Sequence, residues 1–122
     1  MLPASHRMRR SAEFADTIGG GGRSAGRYLV VHALLDDDPT PAGPARVGFV
    51  VSKAVGGAVQ RNRVRRRLRA IMAEILRDVP AGAGLVMRAR PPAASATFGQ
   101  LRADANAQVS RAVRRGSRTV AA

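Results

Sequence analysis

The sequence predicts a single small α+β domain, and three observations predict it. Apolar residues follow a helical period in some stretches and a strand period in others. Those stretches run helix, strands, helix, strand, helix, with no regular β-α alternation. The chain has 122 residues, enough for one modest core. We take residues 1–122 as that one domain, with a basic segment at 1–10 and a tail at 116–122 expected to be flexible.

Each element has a local reason. Ser11 can cap a short first helix, with Glu13 in its favourable first turn. Phe14 and Ile18 lie four apart and share a face of it. The glycines from Gly19 to Gly22 favour no regular structure and end it. Arg27–Leu35 (RYLVVHALL) is rich in β-formers and reads as a strand. Its Tyr28, Val30, His32 and Leu34 point to one face, and Leu29, Val31, Ala33 and Leu35 to the other. The DDDPTPAGPA stretch that follows is a loop. Arg46–Ser52 (RVGFVVS) is a second strand, with Gly48, Val50 and Ser52 on one face and Val47, Phe49 and Val51 on the other. A helix is predicted from Ala58 to Arg77, closed by Pro80 and Gly82. Leu85–Arg90 is a third strand, stopped by Pro91 and Pro92. A last helix spans Thr97–Arg115, with Leu101, Ala105, Val109 and Ala112 along one side.

Composition excludes several classes of function. There is no cysteine, and His6 and His32 have no metal-ligand spacing. We find no Ser/His/Asp set and no paired-carboxylate site, so no catalytic residue is assigned. Asp36, Asp37 and Asp38 read as a solvated turn. No apolar run is long enough to cross a bilayer, and MLPASHRMRR lacks the apolar stretch of a secretory signal. A cytoplasmic protein without a membrane partner is expected. The net charge is +13, and all but one of the 21 basic residues are arginine, the exception being Lys53. Such charge repels itself in the compact state unless a polyanion offsets it.

The charge concentrates in AVQRNRVRRRLRAIM, where six of the nine residues from Arg61 to Arg69 are arginine. On a helical wheel Val64, Leu68, Ile71 and Ile75 form a narrow seam. Arg65, Arg66 and Arg69, with Asn62 among them, cover the far side, and Arg61, Arg63 and Arg67 flank it. A solvated amphipathic face normally mixes signs. This one has no acid before Glu74, and its like charges four apart cost stability. The pattern fits an electrostatic footprint for nucleic acid, without separating DNA from RNA.

The surrounding residues are more specific. Gly48-Phe49-Val50-Val51-Ser52-Lys53, then Gly56, Ala58-Val59, Arg61-Asn62-Arg63-Val64-Arg65-Arg66 and Leu68-Arg69 together resemble the signature of the bacterial ribonuclease P protein subunit. The likeness extends to the arginines before Phe14, the Arg27 strand and Ala89-Arg90 before proline. It implies a central mixed sheet packed with three helices and a left-handed βαβ crossover. It implies a protein that does not itself catalyse. The RNA subunit, with magnesium ions in its active site, would remove the 5′ leader of precursor tRNA. No cofactor is then expected on the protein.

By the same resemblance, the ribonuclease P RNA meets Arg61, Asn62, Arg63, Arg65, Arg66 and Arg69. A cleft between the first helix and the sheet takes the leader, with Phe14, Ile18, Tyr28, His32, Val50, Ser52, Lys53 and Arg90 as its candidate residues. The match is partial. Ile18 stands where a second aromatic is common, His32 where many members have Tyr, and Ala54 replaces the second of a Lys pair. Phe14 can equally be a core anchor. His32 is expected to gain a proton near leader phosphates, so that leader binding tightens as pH falls. Two other readings fit the charge. One is a ribosomal or RNA-assembly protein with no part in cleavage. The other is a DNA-binding helix, which the scarcity of base-reading side chains disfavours.

Overall fold

The computed structural model describes residues 2, 6–8, 14, 17–19, 21–35 and 44–116. The proposed cap at Ser11, the acids Glu13 and Asp36–Asp38, and the tail beyond Gly116 lie outside them. Phe14 and Thr17–Gly19 are helical, as expected of the first helix.

Four strands form one sheet: β1 (Gly22–Ala25), β2 (Leu29–Leu34), β3 (Arg46–Val50) and β4 (Gly84–Ala89), in the order β1-β2-β4-β3. β1–β2 and β2–β4 are antiparallel and β3–β4 is parallel, so the sheet is mixed. The helix α1 (Ala58–Ile75) makes the crossover between β3 and β4, and α2 (Phe98–Gly116) follows β4. A 3₁₀ turn, Leu76–Asp78, tightens the exit of α1. Thr97 caps α2: its Oγ1 accepts from the Gln100 N–H at 3.1 Å, and Gln100 Oε1 accepts from the Thr97 N–H at 2.9 Å.

β1 corrects the sequence reading, which gave Gly22 to a structureless glycine run and saw three strands. GRSA has little intrinsic strand preference. It becomes a strand because it pairs with β2 from Gly22↔Ala33 to Ala25↔Val30 and because α2 covers it. The described N-terminal residues pack on the sheet. Leu2 and Met8 are buried, Arg7 bridges Val47, and Met8 N–H bonds the Val47 carbonyl at 2.9 Å. Arg7 and Met8 thus extend the pairing past β3.

The core lies on one face of the sheet. Leu29, Val31 and Ala33 of β2, Val47 of β3 and Leu85 and Met87 of β4 meet the α1 seam and the Leu101, Ala105, Val109 and Ala112 side of α2. The seam is Val64, Leu68, Ile71 and Ile75 as expected, with Met72 added. Burying each such side chain stabilises by roughly 1.5–3 kcal/mol. The like-charge pairs on the outer side of the helix each cost about 0.2–0.5 kcal/mol. The seam therefore wins comfortably.

A polar chain ties α2 to the β1–β2 hairpin. Asp104 Oδ2 accepts from the backbone N–H of Tyr28 and of Leu29, both at 3.0 Å. Asp104 Oδ1 accepts from Gln108 Nε2 at 3.0 Å, and Gln108 Oε1 accepts from Ser24 Oγ at 2.5 Å. The turn residue here must be glycine, because a Cβ on Gly26 would lie 2.1 Å from Asp104 Oδ1. Asp104→Ala would leave two backbone donors and the Gln108 amide without their acceptor. We expect it to cost about 1.5–3 kcal/mol in urea unfolding, as loss of a charged hydrogen-bond partner does. Asp104→Asn, which keeps one acceptor oxygen, should lose less.

Candidate nucleic-acid interface

The sheet face opposite the core is built from two cross-strand rows. One row is Arg23–His32–Val86–Gly48 and the next is Ala25–Val30–Arg88–Val50. Alternation puts both rows on the same face. Part of this face is covered by N-terminal residues, and glycine admits them. A Cβ on Gly48 would lie 2.3 Å from the Phe14 ring and 3.0 Å from Met8 Cβ. Phe14 thus seats on Gly48, half-buried.

The uncovered part is a groove of about 390 Å³ lined by Arg23, Ala25, Val30, Ser52, Arg88, Ala89, Arg90 and Pro91. Its floor is small and apolar, with Val30 3% exposed. Its rim is cationic. Arg23, Arg88 and Arg90 are all exposed. Arg90 is held from two sides: its Nη1 donates to the Gly26 carbonyl at 2.7 Å, and its backbone N–H to the Tyr28 carbonyl at 2.8 Å. Lys53 is exposed in the 3₁₀ turn Lys53–Val55 that follows Ser52.

The second basic surface lies on α1. Asn62, Arg65, Arg66, Arg69 and Ala70 line a trough of about 700 Å³. Arg65 is braced there. Its Nη1 donates to Asn62 Oδ1 at 3.4 Å and its Nη2 to the Val51 carbonyl at 3.3 Å. Val51 directly precedes the groove residue Ser52, so the trough and the groove meet at the end of β3. Arg66 is exposed, whereas Arg67 turns the other way and donates to the Ala96 carbonyl at 2.9 Å. The Nε atoms of Arg61 and Arg69 are buried and meet no acceptor among the described residues. No helix among the described residues is long and apolar enough to cross a membrane.

Comparison with known proteins decides the family. The Ribonuclease P family model matches residues 2–113. The chain belongs to the ribonuclease P protein family. It is 51% identical over 115 residues to the ribonuclease P protein component of Kocuria rhizophila, covering 94% of this chain and 98% of that one. It is 55% identical over 105 residues to the corresponding protein of Beutenbergia cavernae, covering 85% of each. The Staphylococcus aureus RNase P protein superposes with a TM-score of 0.72 at 25% identity, over 86% of this chain and 93% of that one. The Thermotoga maritima RNase P protein shares the fold, with a TM-score of 0.70 at 22% identity. The family is that of the protein component of ribonuclease P, a tRNA-processing ribonucleoprotein endonuclease.

Set against this family, the candidate site residues fall into groups. Asn62, Arg65, Arg66 and Arg69 come together in the trough, and Ser52 and Arg90 in the groove. Val50 continues the groove row, and Arg61 and Arg63 are half-buried on α1. Ile18 is helical and 46% exposed. Tyr28 departs from the expected pattern. It precedes β2, and its ring packs against the core instead of lining the groove. Asp104 holds its backbone N–H and so breaks the strand alternation there. Two groove arginines were missed. Arg88 was legible as the one charge in the apolar run GLVMRA, on the strand face of Gly84 and Val86. Arg23 was not legible, because β1 was not.

His32 lies on the groove face as alternation requires, but it is 8% exposed and does not line the groove. Burial lowers its pKa below 6.5, and the nearby Arg23 and Arg88 lower it further. The folded protein therefore favours neutral imidazole. As pH falls through about 6.5 the unfolded chain takes up the proton first, so stability drops through that window. We expect the stability of the free protein to fall between pH 7.5 and its folded pKa, and His32→Leu to flatten that part of the curve. Chemical denaturation of both proteins across pH checks this; parallel curves would show that His32 is not the titrating group.

Proposed function

We propose that the arginine trough of α1 binds the ribonuclease P RNA, and that the groove on the opposite sheet face takes the 5′ leader of precursor tRNA. The observation that carries this is the pairing of two cationic surfaces that meet at Val51–Ser52. A small apolar floor beneath Arg23, Arg88 and Arg90 suits an unpaired strand whose phosphates meet the rim. The exposed groove arginines suit phosphate contact, so the reading is of backbone and shape. Phe14 serves as one wall of the cleft, seated on Gly48.

The role is assistance to RNA-borne chemistry. Magnesium in the RNA active site would supply the phosphodiester chemistry, while this chain orients the leader and neutralises phosphate charge. Held against both RNA and substrate, the protein raises the local concentration of one for the other.

Reconstitution tests the reading. Protein, cognate ribonuclease P RNA and precursor tRNA at low magnesium should release the leader faster than RNA alone, and the protein alone should cleave nothing. RNA binding without faster cleavage would favour an assembly role instead. On α1, Arg66→Ala should flatten the log–log salt slope of RNA binding by about one unit or less. Arg67→Ala, whose guanidinium is turned inward to Ala96, should lower stability and leave the slope nearly unchanged. Equal slopes for Arg66→Ala and the unsubstituted protein would remove Arg66 from the contact.

A further inference from the structure

The groove does not end at the edge of the sheet. Its outer rim is Arg23 on β1, the edge strand. The last turn of α2 packs directly against this strand: a Cβ on Gly22 would lie 2.4 Å from Gly116 N and 2.9 Å from the Arg115 carbonyl carbon. Arg115 reaches over the edge, and its Nη1 donates to the Arg23 carbonyl at 2.5 Å. That bond covers an open acceptor of the edge strand. It also holds the Arg115 guanidinium at the backbone of Arg23, on the edge of the sheet. Arg111, one turn earlier on the same side of α2, is exposed.

The carboxylates on the described residues do not neutralise this row. Glu74 pairs with Arg102 at 3.0 Å on the flank of α2 that faces α1. Asp78 lines a hollow between α1 and α2 with Ile75, Asn106 and Val113. Asp104 is engaged by Tyr28, Leu29 and Gln108. These three acidic side chains thus lie toward α1 or in internal bonds, and the β1 side of α2 carries Arg111 and Arg115.

We infer that Arg23, Arg115 and Arg111 form a phosphate track that carries single-stranded RNA out of the groove, over β1 and along the end of α2. This rests on the groove being the leader site. The ligand chemistry is an unpaired ribonucleotide backbone, held by charge and without base preference. The track would then bind the upstream part of a long leader, beyond the nucleotides that the groove itself encloses.

The test uses assembled enzyme and precursor tRNAs with leaders of about four and about twelve nucleotides, the shorter one matching a groove-sized site. The longer leader should bind more tightly, and Arg111→Gln/Arg115→Gln should erase most of that gain while leaving the short leader unaffected. The salt slope for the long leader should flatten by about 1.4, the value for two single-strand phosphate contacts. Arg111 has no hydrogen bond to β1 among the described residues, so Arg111→Gln alone should give about half the effect, which separates charge from any loosening of the strand. Arg115→Lys should retain most of the gain. Equal leader-length dependence in the double variant and the unsubstituted enzyme overturns the track. So does a loss confined to assembly with the RNA subunit, which would assign these arginines to that RNA instead. Failure of the groove reading would look different: Arg88→Ala would then leave even the short leader's affinity unchanged.

Discussion

Burial of one apolar seam on α1 is the interaction on which the rest depends. Six arginines on the stretch from Arg61 to Arg69 would not favour a helix in isolation, since they repel one another and have no acids among them. Val64, Leu68, Ile71, Met72 and Ile75 fix the helix against the sheet and thereby fix where the guanidinium groups point. The same seam fills the core face of β3 and β4, so the crossover, the parallel strand pair and the arginine trough are one packing solution. Weakening the seam would therefore also loosen the placement of the arginine trough.

The sheet's two faces then divide the labour. α1 and α2 both pack on one face, which leaves the other to be covered only in part by N-terminal residues. Gly48 admits Phe14 and Met8 at one end of that face. Where the described residues leave that face uncovered, Val30 floors an open groove rimmed by Arg23, Arg88 and Arg90. The groove is thus a consequence of incomplete coverage, and its charge comes from strand positions that in a closed core would be apolar. His32 registers the boundary. It sits in the row between Arg23 and Val86, buried enough to stay neutral beside two arginines.

Period and punctuation carried most of the fold. The two helices, three of the four strands and the α1 seam were legible because their apolar residues repeat over many positions. β1 was not, because Gly22–Ala25 has no pattern of its own and is a strand only through β2 and α2. Its loss hid Arg23 as well. Tyr28 was misplaced by extending alternation one residue too far, into a position where Asp104 holds the backbone. That side chain is 76 residues away in sequence, and no local rule anticipates it. The arginine motif, by contrast, was readable in full, since helical spacing alone brings Asn62, Arg65, Arg66 and Arg69 together.

The way the arginines are held explains how such a charged chain stays ready for its partner. Arg7 donates to the Leu2 carbonyl, Arg65 to Val51, Arg67 to Ala96, Arg90 to Gly26 and Arg115 to Arg23. A carboxylate would fix a guanidinium equally well, but it would cancel the charge. A backbone carbonyl orients the group and leaves its positive charge in place. On the proposed reading, Arg65, Arg90 and Arg115 would meet the RNA already ordered, so less side-chain entropy would be lost on binding. The net charge of +13 strains the free domain through self-repulsion, and phosphate contact relieves it. Folding is carried by the apolar seam and the Asp104 chain, and the carbonyl-held arginines keep their field for the polyanion.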